Sequence, residues 1–153
     1  MDNKKVFLRI SCSERLTATA ISNSEHIFAA GSASGFIYLW HTFSGNLLKK
    51  IRAHQRKISC LLFSPEGGLL ITAAEDGISQ VYMVAGLIAP NAHFKVDLNN
   101  GNSECKAKYT FIGHSEKINC MVLGKGNVGR LYTGSSDKTI IGFFLFFFLM
   151  IFY

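Results

Sequence analysis

Few side chains in this 153-residue chain are suited to chemistry, and their spacing limits what they can do. His54 and His114 are candidate acid–base groups. A catalytic histidine needs a nucleophile or a substrate within reach, so their surroundings decide their role. Cys12, Cys60, Cys105 and Cys120 contain no Cys-x-x-Cys, and no histidine lies at zinc-finger spacing from them. They read as reduced thiols of an intracellular protein, with Cys60 and Cys120 packed as small apolar residues. No metal site is expected. Gly124-Lys125-Gly126-Asn127-Val128-Gly129 matches Gly-x-Gly-x-x-Gly. A dinucleotide site needs that motif between a strand and a helix, whereas Arg130-Leu131-Tyr132-Thr133 reads as a strand. The glycines are expected to shape a hairpin loop, and no cofactor is expected.

The elements that would position these groups follow from a repeat. Residues 16–40 align without a gap on residues 58–82, an offset of 42 (16 to 58, 40 to 82). Ile21 falls on Phe63, Ser22 on Ser64, Ile27 on Leu69, Gly35 on Gly77 and Trp40 on Tyr82. A third copy starts at Ile118, offset 60 from the second (58 to 118). One extra loop residue then shifts the offset to 61, so that Thr72 falls on Thr133, Asp76 on Asp137 and Tyr82 on Phe143. Within the unit, Ile58 to Phe63 is β-prone, Ser64-Pro65-Glu66-Gly67-Gly68 is turn chemistry, and Leu69 to Ala73 is a second strand. Glu75-Asp76-Gly77 is another turn, and Ile78 to Met83 a third strand. No helical period persists, so antiparallel all-β sheets are predicted. A unit of ~40 residues suits a four-stranded propeller blade.

Hydrophobic residues make up 48% of the chain and charged residues 17%, with a formal net charge of +6. Disordered, collagen-like and disulfide-dense classes are thereby excluded. Thirteen of the 14 residues from Ile140 to Tyr153 are apolar. This run is open to three readings: a membrane anchor, a core strand, or an unnatural end. A spanning helix needs ~20 apolar residues, and Gly142 interrupts this shorter run, so no membrane association is expected. The charged N-terminus, Met1 to Arg9, lacks the apolar stretch of a signal peptide. The basic clusters Lys4-Lys5, Lys49-Lys50 with Arg52, and Arg56-Lys57 leave direct RNA contact open.

The copies resemble the WD-repeat family. That family's repeat carries a Gly-His dyad, an Asp in a later tight turn, a Ser or Thr four residues before it, and a Trp six residues after it. The dyad stands here as Ala53-His54 and Gly113-His114, with Thr72 and Asp76, and Thr133 and Asp137. Trp40, Tyr82 and Phe143 hold the aromatic position. The first copy has Cys12 and Ser34 in place of His and Asp, and Phe143 has no polar atom to offer. The resemblance implies a structural hydrogen-bond network of His54, Thr72, Asp76 and Tyr82, repeated by His114, Thr133 and Asp137. Each histidine then already has a partner in its own repeat, and no catalytic residue is expected. It further implies an incomplete β-propeller of about three four-stranded antiparallel blades, not closed, over residues 1–139. The repeats fall near 10–52, 53–108 and 109–143, and an aberrant apolar run covers 140–153.

Between Tyr82 and His114 the spacing is stretched by a polar tract around Ala89 to Lys108, a loop able to carry function. The order of blade features is similar to that of the WD-repeat subunit of the nucleolar complex that processes pre-ribosomal RNA and matures the large ribosomal subunit. The resemblance implies a non-enzymatic scaffold in the nucleus and nucleolus. Its partners would be a helical-repeat scaffold, a midasin-type ATPase and the pre-ribosomal particle. The alternative is a WD-repeat adaptor elsewhere, in ubiquitin ligation, trafficking or chromatin, with a cytoplasmic form possible. A propeller closes with roughly 4–8 blades, and the poly-Phe run looks like translated intron-like sequence. The chain is therefore expected to be a truncated form.

Overall fold

In the computed structural model, residues 6–88, 106–124 and 129–145 are described. Three antiparallel sheets follow one another. The first blade holds β1 (Leu16–Ile21), β2 (Ile27–Ser32), β3 (Phe36–His41) and β4 (Leu47–Arg52). The second holds β5 (Ile58–Phe63), β6 (Leu69–Ala74), β7 (Ile78–Met83) and β8 (Tyr109–Ile112), with the short helix α1 (Val84–Ile88) after β7. The third holds β9 (Ile118–Leu123), β10 (Gly129–Ser135) and β11 (Ile140–Leu145). Strand order in each blade is sequential, so every strand pairs with its chain neighbour.

The third blade has three strands among the described residues, where four were expected. The first six residues of the apolar run form β11, paired to β10 from Gly129↔Leu145 to Gly134↔Ile140. The rest of that run, most of the insert from Ala89, and residues 125–128 of the glycine tract lie outside the described residues. α1 was not expected. Five residues are too few to show a helical period, and Val84 and Leu87 hold it by burial against the core.

The repeat is reproduced at the level of single hydrogen bonds. Ser22 and Ser64 close equivalent turns: their hydroxyls accept from Ile27 N (3.1 Å) and Leu69 N (3.1 Å). The register of each inner strand shifts at one repeat position, around Thr17, Ser59 and Asn119. Such bulges leave one residue unpaired and bend the strand. Thr17 uses the freedom to donate to the carbonyl of Ile58 in the next blade (2.6 Å).

Blades stack face to face through apolar layers. Ala29, Ile37, Leu39 and Ile51 of the first blade meet Ile58, Leu61, Leu70 and Tyr82 of the second. Leu69, Ile71 and Val81 of the second meet Leu131, Leu145 and Phe143 near the third. The middle blade is covered on both sides, so β6 is buried throughout, which is why Leu69 to Ala74 lacks an apolar–polar alternation. In β10 buried and exposed positions alternate over Arg130 to Thr133. On the first blade's other face, Trp40, Tyr38 and Ala30 are covered by Ile10 and Cys12 of the segment before β1.

Candidate functional site

The polar side chains that the spacing singled out come together inside two blades. His54 is buried between β4 and β5, at the end of the dyad loop. Its Nδ1 lies 3.0 Å from Asp76 Oδ2, and its Nε2 2.8 Å from Thr72 Oγ1. The tautomer with its proton on Nδ1 satisfies both contacts: the imidazole donates to the carboxylate and accepts from the threonine hydroxyl. In the third blade His114 repeats the arrangement, with Asp137 Oδ2 at 2.8 Å and Thr133 Oγ1 at 2.9 Å. Thr139 adds a contact that the spacing did not announce. Its hydroxyl donates to Asp137 Oδ1 (2.6 Å) and lies 3.2 Å from His114 Nδ1.

Strand pairing explains the convergence. Thr72 is on β6, at the centre of its blade, and points to the side where the dyad loop ends. Asp76 opens the β6–β7 turn and also accepts from Ile78 N (3.1 Å). The loop carrying His54 is held by Gly35 of the previous blade, whose carbonyl accepts from Ala53 N (3.1 Å) and His54 N (3.0 Å). The second blade's network therefore ties the dyad loop to β6 and the β6–β7 turn, and that loop is held in turn by the blade before it.

Tyr82 has a partner on its own strand. Its hydroxyl donates to Gln80 Oε1 on its own strand, and the Gln80 carbonyl lies 3.5 Å from Thr72 Oγ1. Tyr82 pairs with Leu70 rather than Thr72 across the ladder, which puts its ring one pair away in the apolar layer. Phe143 stacks on Phe111 with centroids 4.7 Å apart. Trp40 stacks on Tyr38, at 5.5 Å and 12°. All three aromatic positions thus fill packing layers.

The first blade builds its polar cluster from other residues. Cys12, half-buried at the histidine position, packs near Trp40. Glu14 accepts from the hydroxyl of Ser34, from Tyr38 Oη (2.6 Å) and from Lys50 Nζ (3.1 Å). The Ser34 hydrogen bond, with Tyr38 next, holds its carboxyl down at about 2, below the ordinary 4.5. Position alone gave no signal for Glu14, because its partners lie 20, 24 and 36 residues away. Asp76 is also held below its ordinary value. Burial pushes it up, but the hydrogen bonds from His54, Ile78 and Gln55 outweigh that. Thr139, and then His114, lower Asp137.

These lowered carboxylates set an acid limit. A carboxyl depressed in the folded state contributes stability that is present above its unfolded value and lost as pH falls through its folded value. For Glu14 that window runs from about 4.5 down to about 2. Urea midpoints are expected to fall across it, and Glu14→Gln should flatten that fall. An equal slope in the variant would rule out Glu14 as its source.

Cys60 is half-buried, with its thiol donating to the Asn119 carbonyl (3.4 Å), and burial pushes its pKa up. Cys120, expected to be packed, is exposed. Cys105 lies outside the described residues. Among the described residues no three His, Cys, Asp or Glu side chains converge on a point, and no helix is long and apolar enough to cross a membrane.

Comparison with known proteins agrees with this architecture. The profile of the WDR54 family matches residues 7–123. The pre-rRNA-processing protein crb3/ipi3 of Schizosaccharomyces pombe is 39% identical over 114 residues, which is 73% of this chain and 25% of that protein. The pre-rRNA-processing protein IPI3 of Candida albicans is 41% identical over 117 residues, 74% of this chain and 22% of that protein. The Arabidopsis thaliana protein ROOT INITIATION DEFECTIVE 3 is 28% identical over 124 residues, covering 81% and 27% of the two chains. The chain thus spans about a quarter of the length of these relatives. Among solved structures, U3-55K superposes with a TM-score of 0.69 at 16% identity, over 87% of this chain and 37% of its own. The WD40 repeats of RRP9 superpose with the same score and identity. At that identity the likeness is one of fold.

Proposed function

Because the chain belongs to the WDR54 family, and is built of WD-repeat blades, we propose that it is a non-enzymatic scaffold in pre-rRNA processing and large-subunit assembly. The observation that carries this reading is the 39% identity to the pre-rRNA-processing protein crb3/ipi3 across 73% of the chain. The denial of catalysis is supported by the site itself. Both ring nitrogens of His54 and of His114 are engaged inside their blades, so neither is aimed at a substrate. The networks His54–Thr72–Asp76 and His114–Thr133–Asp137 hold the blades, and exposed loops and rims are left to bind.

The whole protein's partners are part of the proposal: a helical-repeat scaffold, a midasin-type ATPase and the pre-ribosomal particle, met in the nucleolus. A tagged chain is expected to concentrate in nucleoli and to recover large-subunit assembly factors from a nucleolar extract. Recovery of none, with diffuse cytosolic staining, would sink the reading in favour of an adaptor elsewhere.

A further inference from the structure

The two ends of the blade array expose the faces that its interior buries. By the repeat offsets Ile37, Ser79 and Ile140 hold one position (37 to 79, 79 to 140). Ile37 and Ser79 are fully buried, on the side of the blade that follows, whereas Ile140 is 80% exposed. Ala29, Ile71 and Tyr132 hold a second position (29 to 71, 71 to 132). There too the first pair is fully buried, and Tyr132 is 38% exposed. Val122, in line with Leu62 (62 to 122), is exposed as well. The far side of the third blade thus presents the apolar face that the first two blades cover with their successors.

The other end is open on the opposite face. Leu16, Phe28 and Trp40 stand where Ile58, Leu70 and Tyr82 stand in the second blade. The latter three are buried against the first blade. Leu16 is exposed and Phe28 half-buried, and with Trp40, Phe7 and Leu8 they line an open hollow of about 460 Å³. Residues 6–10 also fall, by the same offset, on residues 48–52 of β4, the outer strand of its blade (6 to 48, 10 to 52). They form no strand, and Val6 and Phe7 are exposed. Among the described residues β11 is the outermost strand of the third blade. One end therefore holds an outer-strand segment without a blade beside it, and the other a blade of three described strands.

We propose that a second copy of this chain covers both ends: the far face of each copy's third blade stacks on the open face of the other's first blade, and residues 6–10 of each run beside β11 of the other. The choice of occupant follows from the repeat. The contact is the one made twice within the chain, by Ala29, Ile37 and Leu39 on Ile58, Leu61 and Leu70, and by Ile71 and Val81 on Leu131 and Phe143. Head-to-tail contacts give a closed ring where the rotation completes a circle. Two copies of three blades make six, within the roughly 4–8 at which propellers close. Closure also covers the strand edge and the apolar faces that otherwise recruit further chains. The inference does not rest on the pre-rRNA reading.

The test is sedimentation equilibrium of the 153-residue chain over a dilution series. The expected result is a reversible rise from the 16.9 kDa of one copy to twice that mass, with no larger species. Cys120 stands where the half-buried Cys60 stands in the second blade (60 to 120), so its reaction with a maleimide should slow as the dimer forms. Both measurements use the unaltered chain. Tyr132→Lys on the far face and Phe7→Lys at the open face should each leave a monomer, because every junction of the ring needs one face of each kind. Both side chains are exposed, so the circular dichroism of the monomer should be unchanged. An equimolar mixture of the two variants should recover a weaker dimer, since one of its two junctions is then built from unaltered faces. A monomer at every concentration, growth beyond the dimer, undiminished Cys120 reactivity in the dimer, or a mixture that stays monomeric would each overturn the proposal. So would a dimer that survives in either variant, which would mean that like faces meet.

Discussion

Replacing Gly35 by Ala is expected to destabilise the chain by about 3–5 kcal/mol, a large part of the ~5–15 kcal/mol that holds a typical domain. Gly35 sits at φ 89°, in a region that L side chains rarely adopt. A Cβ there would lie 2.1 Å from the carbonyl oxygen of His54 and 2.9 Å from that of Arg56. Both obstacles are backbone, so no rotamer change relieves them. The backbone strain costs about 1–3 kcal/mol, and the overpacking about as much again. The shift needed would also stretch the bonds from Ala53 N and His54 N to Gly35 O, the bonds that hold the next blade's dyad loop. Gly77, at φ 76°, is the equivalent residue one blade on, with the His114 oxygen 2.8 Å from the added Cβ, and a smaller loss is expected there. Gly67 is the control. It has φ 73° but nothing within 4 Å, so only the conformational cost of about 1 kcal/mol remains. Urea denaturation of the three variants should rank them Gly35, Gly77, Gly67. An equal loss at Gly35 and Gly67 would refute the close-approach argument.

His54→Ala is expected to cost about 3 kcal/mol, because it strands two groups at once. Thr72 Oγ1 is left without its short partner in a fully buried position, and Asp76 loses the donor that offsets its burial. Thr72→Val keeps the shape but leaves His54 Nε2 unpaired, at about 1–3 kcal/mol. Once the imidazole is gone the hydroxyl has little left to lose. The double variant should therefore cost less than the sum of the singles by about 1 kcal/mol or more. Additivity within about 0.5 kcal/mol would mean that the two side chains are not coupled. A catalytic role would predict something else: loss of a turnover with unchanged stability.

Much of this was legible from spacing. The offset of 42 located β1 to β3 and β5 to β7 almost to the residue, because turns such as Ser64 to Gly68 depend on local chemistry that survives any tertiary context. His54, Thr72 and Asp76 were named by their order in the chain, and the structure puts them within hydrogen-bond distance. Tyr82 was assigned to the same network; its hydroxyl donates to Gln80 Oε1 on its own strand, and its ladder partner is Leu70. Ladder register belongs to pairs of strands, and no spacing along one strand reports it.

By itself, then, the sequence determined the repeat, the all-β character and the polar set of the second and third blades. These follow from short-range periodicity and turn residues, which act within a few positions of one another. Tertiary structure alone decided how the first blade manages without histidine and aspartate. Glu14 reaches Ser34, Tyr38 and Lys50 only because the segment before β1 is laid along that blade. It also decided which charges meet. Glu75 pairs with Lys57 and Glu14 with Lys50, and Asp76 accepts from the buried imidazole of His54. A residue's charge is local, whereas whether that charge is available to a partner depends on what folding brings beside it.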